Sequence, residues 1–583
     1  ERTVANKLFE IFRALQLEYR FSKDELLEIY LNLAPYGGNV EGVGAAAYFY
    51  FNKDASELTW AEAAMLTAIP NSPEKIRPDL NPANARTRRD WILERLAASG
   101  ILEKEQLKQA LEETVPHKRV PVPKTAPHFC QSLVHRYPDS SRIISAVDYD
   151  VQTKCEQAAH DHLQQLRKKD IHNLAVVVLD NATGRILGMV GSPDVHDAQH
   201  DGQVNGALAA RSPGSALKPF LYALAFERGL LSPEQKIADV PVNYGGYQPE
   251  NYDEKFHGVV SVRDALVHSY NVPAVNAVVE LGLSSFHDFL RRGGLRTLDK
   301  EYSDYGLPLV LGAAEVRLLD LTNLYASLAR YGRYTPVSWL AKTDGINSTR
   351  ILSEEASYLT TDILTGLRRP DLPTSWQSTA GQVAISWKTG TSYGRRDAWA
   401  IGYTPRYTVG VWAGNFDGRG SVNLVGAEIS APLMFDVFNS LESDAENVRF
   451  VPPVNIATRK VCTVSGLPAS RFCLETREEI YAIGSSPSAR CNVHRPIIVD
   501  TQTGLRLRAA CAHQVAHERR IVEVWPARVA TWMVTQGVAP PLPEYHPACL
   551  EVMSGEGPAI VSPQDGSVFE LVEDLSAQYQ KIS

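Results

Sequence analysis

Apolar residues at helical spacing dominate the first hundred positions of this chain. Leu26, Leu27, Ile29 and Tyr30 follow Ser22-Lys-Asp-Glu25, and Ala63, Ala64, Leu66 and Ile69 follow Thr59-Trp-Ala-Glu62. Each four-residue string is a capping box: a hydroxyl satisfies a free amide of the first turn and the glutamate answers it. Between them Tyr36-Gly-Gly-Asn39 makes a turn before Val40 to Phe51, and Arg86 to Leu96 forms a further amphipathic helix ending near Gly100. This region is predicted to be all helix.

The pattern then changes twice. Pro116, Pro121, Pro123 and Pro127 stiffen a linker, and Val147 to Leu166 reads as a strand and helix opening a mixed α/β region. Within it the turn Arg211-Ser-Pro-Gly214 precedes Ala216, Leu217, Phe220, Leu221, Leu224 and Phe226, so Ser215 should open a buried helix that stops at Gly229. Ser261-Val-Arg-Asp264 starts a helix and another begins near Val272-Pro273, leaving Ser269, Tyr270 and Asn271 on the connection. Val383, Ile385 and Trp387 alternate along a strand that Lys388 ends. Asp397 to Tyr403 and Tyr407 to Trp412 then form a hairpin. After Val451-Pro-Pro-Val454 helical periodicity fades. From Pro558 a turn at Asp565-Gly566 and alternating Val568, Glu570 and Val572 suggest the start of a small β domain.

Composition adds boundaries rather than identity. With 583 residues and 44% hydrophobic content the chain can bury several cores, so three or four domains are expected. A net charge of −8 argues against nucleic acid as a partner. No apolar run approaches 18 residues, so nothing in the sequence reads as membrane-spanning. Of the seven cysteines, Cys462, Cys473, Cys491, Cys511 and Cys549 crowd the C-terminal region while Cys130 and Cys155 stand apart. Disulfides in an oxidising compartment are the preferred reading. The alternative is a zinc site, because Cys491-Asn-Val-His494 has ligand spacing that Cys462 and Cys473 could complete.

Three short strings carry the chemistry: Ser215-Ala-Leu-Lys218, Ser269-Tyr-Asn271 and Lys388-Thr-Gly-Thr391. A serine needs a base within hydrogen-bond reach to become a nucleophile, and a lysine one helical turn on has that reach. A lone S-x-x-K means little, since about two arise by chance in a chain this long. The ordered trio means more. At a helix start Ser215 sits beside unpaired N–H groups that favour negative charge on an attacked carbonyl oxygen. Ser269 is a candidate proton relay between Lys218 and a leaving amine, and Asn271 a holder of a substrate amide or of the lysine head. Gly390 admits a substrate backbone. Thr389 and Thr391 offer hydroxyls to a carboxylate, and the Thr391 N–H is a candidate second oxyanion donor. Lys388, if close to Lys218, should lower the pKa of that base.

This trio resembles that of the penicillin-binding proteins and serine β-lactamases, with Tyr270 where that motif set has Asp. The words around it, Arg211-Ser-Pro-Gly-Ser-Ala-Leu-Lys-Pro-Phe220, Asn251-Tyr-Asp253 and Trp387-Lys-Thr-Gly-Thr-Ser-Tyr-Gly394, resemble the 1C-type class A penicillin-binding proteins over nearly the whole chain. The resemblance implies peptidoglycan synthesis: a D-Ala-D-Ala transpeptidase acylated on Ser215, no metal or organic cofactor, stem peptides and β-lactams as ligands. It also implies periplasmic work in a longer protein anchored in the inner membrane, with the anchor upstream of Glu1. The helical region resembles the latter part of a lysozyme-like family-51 glycosyltransferase that polymerises lipid II. The family's third motif maps onto Lys7, which would contact pyrophosphate, and Glu10, which would assist catalysis. Its earlier motifs should lie before Glu1, so this module is expected to be inert in the fragment.

The expected organisation is multidomain α and α/β. Residues 1–110 form the partial all-α glycosyltransferase module, 111–145 a linker, and 146–450 a transpeptidase domain with an antiparallel sheet and helices. A Cys-rich irregular segment follows over 451–552, then an incomplete C-terminal β domain over 553–583. Two other readings stay open. A carboxypeptidase or β-lactamase would release the acyl-enzyme to water, though none of Glu280, Glu301, Glu315, Glu354 or Glu355 has the Asn four residues on that a deacylating loop usually carries. A non-catalytic cell-wall or partner-binding scaffold would leave the intact trio unexplained.

Overall fold

The computed structural model describes residues 3–121, 125–140, 142–342, 347–370, 383–442, 449–509 and 511–550. The β domain expected over 553–583 lies outside them. The chain divides into two compact units, Glu1–Lys124 and Thr125–Ser583.

The first unit is helical. In chain order it contains α1 (Val4–Arg20), α2 (Lys23–Leu33), α3 (Val43–Phe51), α4 (Trp60–Ala68), α5 (Pro82–Ala98) and α6 (Lys104–Glu112). Both expected capping boxes form, with the N–H of Ser22 donating to Glu25 at 2.7 Å and that of Thr59 donating to Glu62 at 2.9 Å. Tyr36, Ala46, Ala47, Tyr50, Met65 and Ile69 make its principal core. None of α1 is buried, and Leu8, Phe9, Phe12 and Leu15 stand exposed on it.

The second unit begins inside the stretch expected as a linker. There α7 (Pro127–Arg136) buries Phe129 and Leu133 in the main core, and Phe129 stacks on Trp339 at 5.1 Å. Proline at the first turn of a helix costs no hydrogen bond, so Pro127 starts this element rather than extending a linker. The order then runs α8 (Tyr149–Leu166), β1 (Asn173–Asp180), β2 (Ile186–Val190), α9 (Lys218–Glu227), β3 (Lys236–Asp239), β4 (Gly258–Ser261), α10 (Val262–Val267) and α11 (Asn271–Leu281). After these come α12 (Leu318–Ala329), α13 (Glu354–Thr365), β5 (Ser386–Thr391), β6 (Asp397–Tyr403), β7 (Tyr407–Gly414) and α14 (Gly426–Leu441).

Five strands form one antiparallel sheet in the order β2-β1-β7-β6-β5. The β6–β7 hairpin is the expected one, whereas β1 pairs with β7 from far away, Asn173 opposite Gly414. The run Leu174-Ala-Val-Val-Val-Leu179 is wholly buried because helices cover both faces of the sheet. α14 and α8 lie on one face and α12 on the other, with α13 against β5. Every residue of α12 except half-buried Asp320 is buried, so it is a central layer between the sheet and further helices. β5 is left at one edge.

Residues 451–550 are more regular than the sequence suggested. β8 (Ile456–Cys462) and β9 (Thr476–Ala482) form a hairpin, and β10 (His494–Asp500) pairs on either side with β11 (Arg506–Leu507) and β12 (His517–Glu523). The expected disulfides appear only in part. Cys511 bonds Cys549, while Cys462, Cys473 and Cys491 converge with His494, and Cys130 and Cys155 are free thiols. This segment docks on β3: the N–H of Lys236 donates to the Ser465 carbonyl at 3.0 Å, and that of Glu234 to the Glu479 carboxylate at 2.9 Å.

Buried Glu479 also takes Nε of Arg459 at 2.9 Å. Removing it strands a guanidinium and an amide together. Glu479→Ala is therefore expected to cost about 3 kcal/mol of the stability of this unit in urea unfolding. A change below about 0.5 kcal/mol would put the docking energy elsewhere.

Candidate active site

Ser215 does not open an α-helix. It sits in a 3₁₀ turn, Gly214–Leu217, that runs into α9 at Lys218, with Pro219 in the first turn where its missing N–H is cheap. Gly214 adopts φ +53°, and a Cβ there would lie 2.3 Å from the Thr391 carbonyl oxygen. Gly390 is packed as closely: its Cβ would lie 2.0 Å from the carbonyl of Pro213. The nucleophile turn and edge strand β5 thus touch backbone to backbone, which only glycine permits. Three distant groups hold the turn. The Trp399 indole donates to Ser212 O at 2.7 Å, the Ser212 hydroxyl to Gly312 O at 2.7 Å and the Tyr325 hydroxyl to Ala216 O at 2.6 Å.

Lys218 is fully buried, and its ammonium meets three acceptors: Ser269 O at 2.5 Å, Tyr270 O at 3.0 Å and Asn271 Oδ1 at 2.7 Å. The Asn271 amide is oriented by its other end, which donates to Glu250 O at 2.7 Å. Asn271 thus lies within hydrogen-bond reach of the lysine head. Lys388, equally buried, donates to Ser269 Oγ at 2.9 Å and to Thr389 O at 3.1 Å. The Ser269 hydroxyl faces Lys388, and Lys218 touches the Ser269 carbonyl. Ser269 itself holds φ +61°, a left-handed conformation that aims its carbonyl and hydroxyl at two different lysines.

Burial drives both amines toward the neutral form. Lys218 lies well below the ordinary lysine range, first because it is desolvated and then because Lys388 presents a like charge. Lys388 is pulled down by burial to about 7.

Asn251, part of the Asn251-Tyr-Asp253 word, has a structural role that the sequence left unstated. Its Oδ1 accepts the N–H of Asn271 at 2.8 Å and of Val272 at 3.2 Å, capping α11, while its amide donates to both carboxylate oxygens of buried Asp239. His257 Nδ1 shares that carboxylate at 2.7 Å and its ring stacks on Tyr270 at 4.2 Å. Nothing local in the sequence marks Asp239 or His257.

The remaining expected residues divide. Thr389, Gly390 and Thr391 line β5 beside the turn, and the Thr391 hydroxyl accepts the N–H of Gly426 at 3.1 Å, so part of its capacity serves the scaffold. Lys7 and Glu10 form an exposed ion pair, 2.6 Å, on α1 of the other unit.

Three family descriptions match the chain in succession: Transglycosylase over residues 1–97, Penicillin binding protein transpeptidase domain over 174–437, and Penicillin-binding protein 1A, C-terminal domain over 452–496. The chain belongs to the class A penicillin-binding proteins, which combine these two catalytic module types. It is 35% identical to penicillin-binding protein 1C of Escherichia coli over 91% of its own length and 69% of that protein's. It is 29% identical to penicillin-binding protein 1F of Bacillus subtilis over 71% of its own length and 61% of that relative's. The crystal structure of penicillin-binding protein 1A from Haemophilus influenzae shares the fold, with a TM-score of 0.59 at 21% identity over 81% of this chain and 92% of that one.

Asn251→Ala leaves the two N–H groups at the start of α11 without their acceptor and takes one donor from the Asp239 carboxylate, which keeps His257. Stability should fall by about 1–2 kcal/mol. Acylation by penicillin, compared at equal folded fraction, should slow about 10- to 100-fold, because Asn271 and the Tyr270 carbonyl lose their fixed positions around Lys218. An unchanged rate would make Asn251 a stabilising cap only.

Proposed function

We propose that this protein is a serine-type D-Ala-D-Ala transpeptidase of peptidoglycan synthesis, in which Ser215 is the nucleophile and Lys218 its base. One observation carries the reading: three strings spread over 177 residues meet around one buried amine, with the serine turn held against the strand that bears Lys388. Neutral Lys218 takes the Ser215 proton as Oγ attacks the carbonyl of the penultimate D-Ala. The oxyanion is met by N–H groups of Ser215 and Thr391. The C–N bond then breaks, the departing D-Ala amine gains a proton from Lys388 through Ser269, and an acyl-enzyme remains with Lys388 neutral and Lys218 holding the Ser215 proton. A stem-peptide amine resolves it, giving its proton back through Ser269 to Lys388, and Lys218 returns its own to Ser215, which recovers its hydroxyl. Lys388 and Thr389 receive the terminal carboxylate of a stem peptide or a β-lactam.

The Cys511–Cys549 disulfide supports work in an oxidising compartment, consistent with the periplasm. Among the described residues no helix is long and apolar enough to cross a membrane. The match of the helical unit to transglycosylases supports lipid II as a second substrate of the complete protein, with Lys7 and Glu10 as the residues assigned to it.

Fluorescent penicillin followed by mass mapping tests the assignment. Label should fall on Ser215, vanish in Ser215→Ala, and slow by about 10²- to 10⁴-fold in Lys218→Ala. An adduct on Ser269 would overturn it. Incubation with a donor stem peptide separates the outcomes of the acyl-enzyme: cross-linked product supports transpeptidation, and free D-Ala without cross-links assigns a carboxypeptidase.

The two lysines separate by pH. Lys218 is idle while protonated, so its pKa sets the acidic limb of the acylation profile. In Lys388→Ala the like charge is gone, Lys218 keeps its proton to higher pH, and the limb should move upward, by part of the whole depression because burial persists. In the unaltered protein, carboxylate ligands should lose acylation efficiency as Lys388 deprotonates above about 7, more steeply than a neutral ligand, which needs Lys388 only as a proton donor. An acidic limb that stays fixed in the variant would restrict Lys388 to binding.

A further inference from the structure

Cys462, Cys473, Cys491 and His494 place their ligand atoms within 4.8 Å of one another at the junction of β8, the following turn and β10. The Nδ1 of His494 lies 3.4 Å from Cys462 Sγ and 3.6 Å from Cys491 Sγ. Tetrahedral zinc with Zn–S near 2.3 Å and Zn–N near 2.0–2.1 Å requires S···N edges of about 3.6 Å. The histidine ring is therefore already at ligand distance from two sulfurs, with the third sulfur close by.

We propose that these four side chains bind one structural zinc ion. The donor set argues for this metal. Three sulfurs and one imidazole are soft to borderline ligands that suit zinc and leave magnesium, calcium or manganese without oxygens. Four protein ligands close a tetrahedron and leave no position for water, so the site holds structure rather than performs catalysis. Cys462, Cys491 and His494 are buried and Cys473 is half-buried.

The surrounding backbone is shaped for the same purpose. Gly466, at φ +69°, turns the chain so that its N–H and the Leu467 carbonyl both bond Cys462, each at 2.8 Å. The N–H of Ser470 points at Cys473 Sγ from 3.3 Å, and the N–H of Cys491 is tied to Pro468 O at 2.8 Å. A disulfide between any two of these cysteines would leave a third buried sulfur and an imidazole facing a bond that neither can complete. On binding, three thiols release three protons to solvent and the imidazole donates a lone pair. Zn²⁺ with three thiolates carries a net charge of −1, which the N–H directed at sulfur offsets.

The ion would fasten the part of this segment that reaches the transpeptidase unit. Ser465, inside the Cys462–Gly466 turn, accepts the N–H of Lys236 on β3, and Asp239 at the other end of β3 holds Asn251. Metal loss should thus loosen the docked segment before it disturbs Ser215.

Metal analysis of the full 583-residue chain, produced with zinc and purified without chelator, should find about one zinc per chain. Cobalt exchanged into the unaltered protein should give thiolate charge-transfer absorption and the d–d bands of a tetrahedral ion. Maleimide should label Cys462, Cys473 and Cys491 only after a chelator is added. Cys491→Ser should bind almost no zinc, His494→Cys should restore a four-thiolate site, and Cys130→Ser should be unaffected. The proposal is overturned if the unaltered chain carries no zinc, if non-reducing peptide mapping joins any two of the three cysteines, or if Cys491→Ser retains the metal.

Discussion

The rest of the second unit is organised around an amine that water cannot reach. Lys218 points into protein from the first residue of a buried helix, and desolvating an amine is among the most expensive steps in folding unless partners receive it. Its three partners are two backbone carbonyls and an asparagine amide, none of them an anion. A carboxylate in their place would fix the proton on the lysine. Neutral acceptors leave it removable. An ammonium donates three hydrogen bonds and a neutral amine two, so the resting contacts fit the protonated form while burial and Lys388 oppose it. The amine is poised between two states, and passing to the basic one needs only that one of three short contacts let go.

Such poise requires rigid surroundings. Asn271 is fixed at both ends of its amide, the turn before it is locked by a left-handed Ser269, and the helix it opens is capped by Asn251, itself held by buried Asp239. The nucleophile turn is held separately by Trp399 on β6 and Tyr325 on α12. Sheet and central helix therefore each contribute one hydrogen bond to the serine turn. A core of this size supplies what two buried lysines consume.

Much of this was legible in the sequence wherever the cause was local. Capping boxes at Ser22 and Thr59, the β6–β7 hairpin and the corner carrying Ser269 all follow from spacing within a few residues, and they formed, whereas the strand expected to end at Lys388 runs instead from Ser386 to Thr391. The 3₁₀ turn at Ser215 was missed because apolar periodicity is the same for a helix that begins one turn later. Its cause, the contact of Gly214 with β5, comes from 177 residues downstream. Trp399 likewise reaches Ser212 across 187 residues, whereas Asp239 lies only 12 residues from Asn251 and 18 from His257 in a pairing that no local motif marks. In the C-terminal segment the strands are short and half-exposed, so alternation was too weak to reveal two small sheets. The proline-rich stretch misled for a different reason: Pro127 suits a helix start as well as a linker.

The pairing of β1 with β7 sets the order in which this protein can come into being. Asn173 waits for Gly414, and until the hairpin that brings β7 exists, the strand Leu174 to Leu179 can pair with β2 but lacks its partner on the other side. Loop closure over such a span is slow, and the unpaired strand is apolar on both sides, the combination that invites association with other chains. A polypeptide emerging from its amino end must carry that strand with one side unpaired until β7 has been made. The site described above has no early, partial version: the turn bearing the serine and the strand it leans on belong to opposite ends of one closing event.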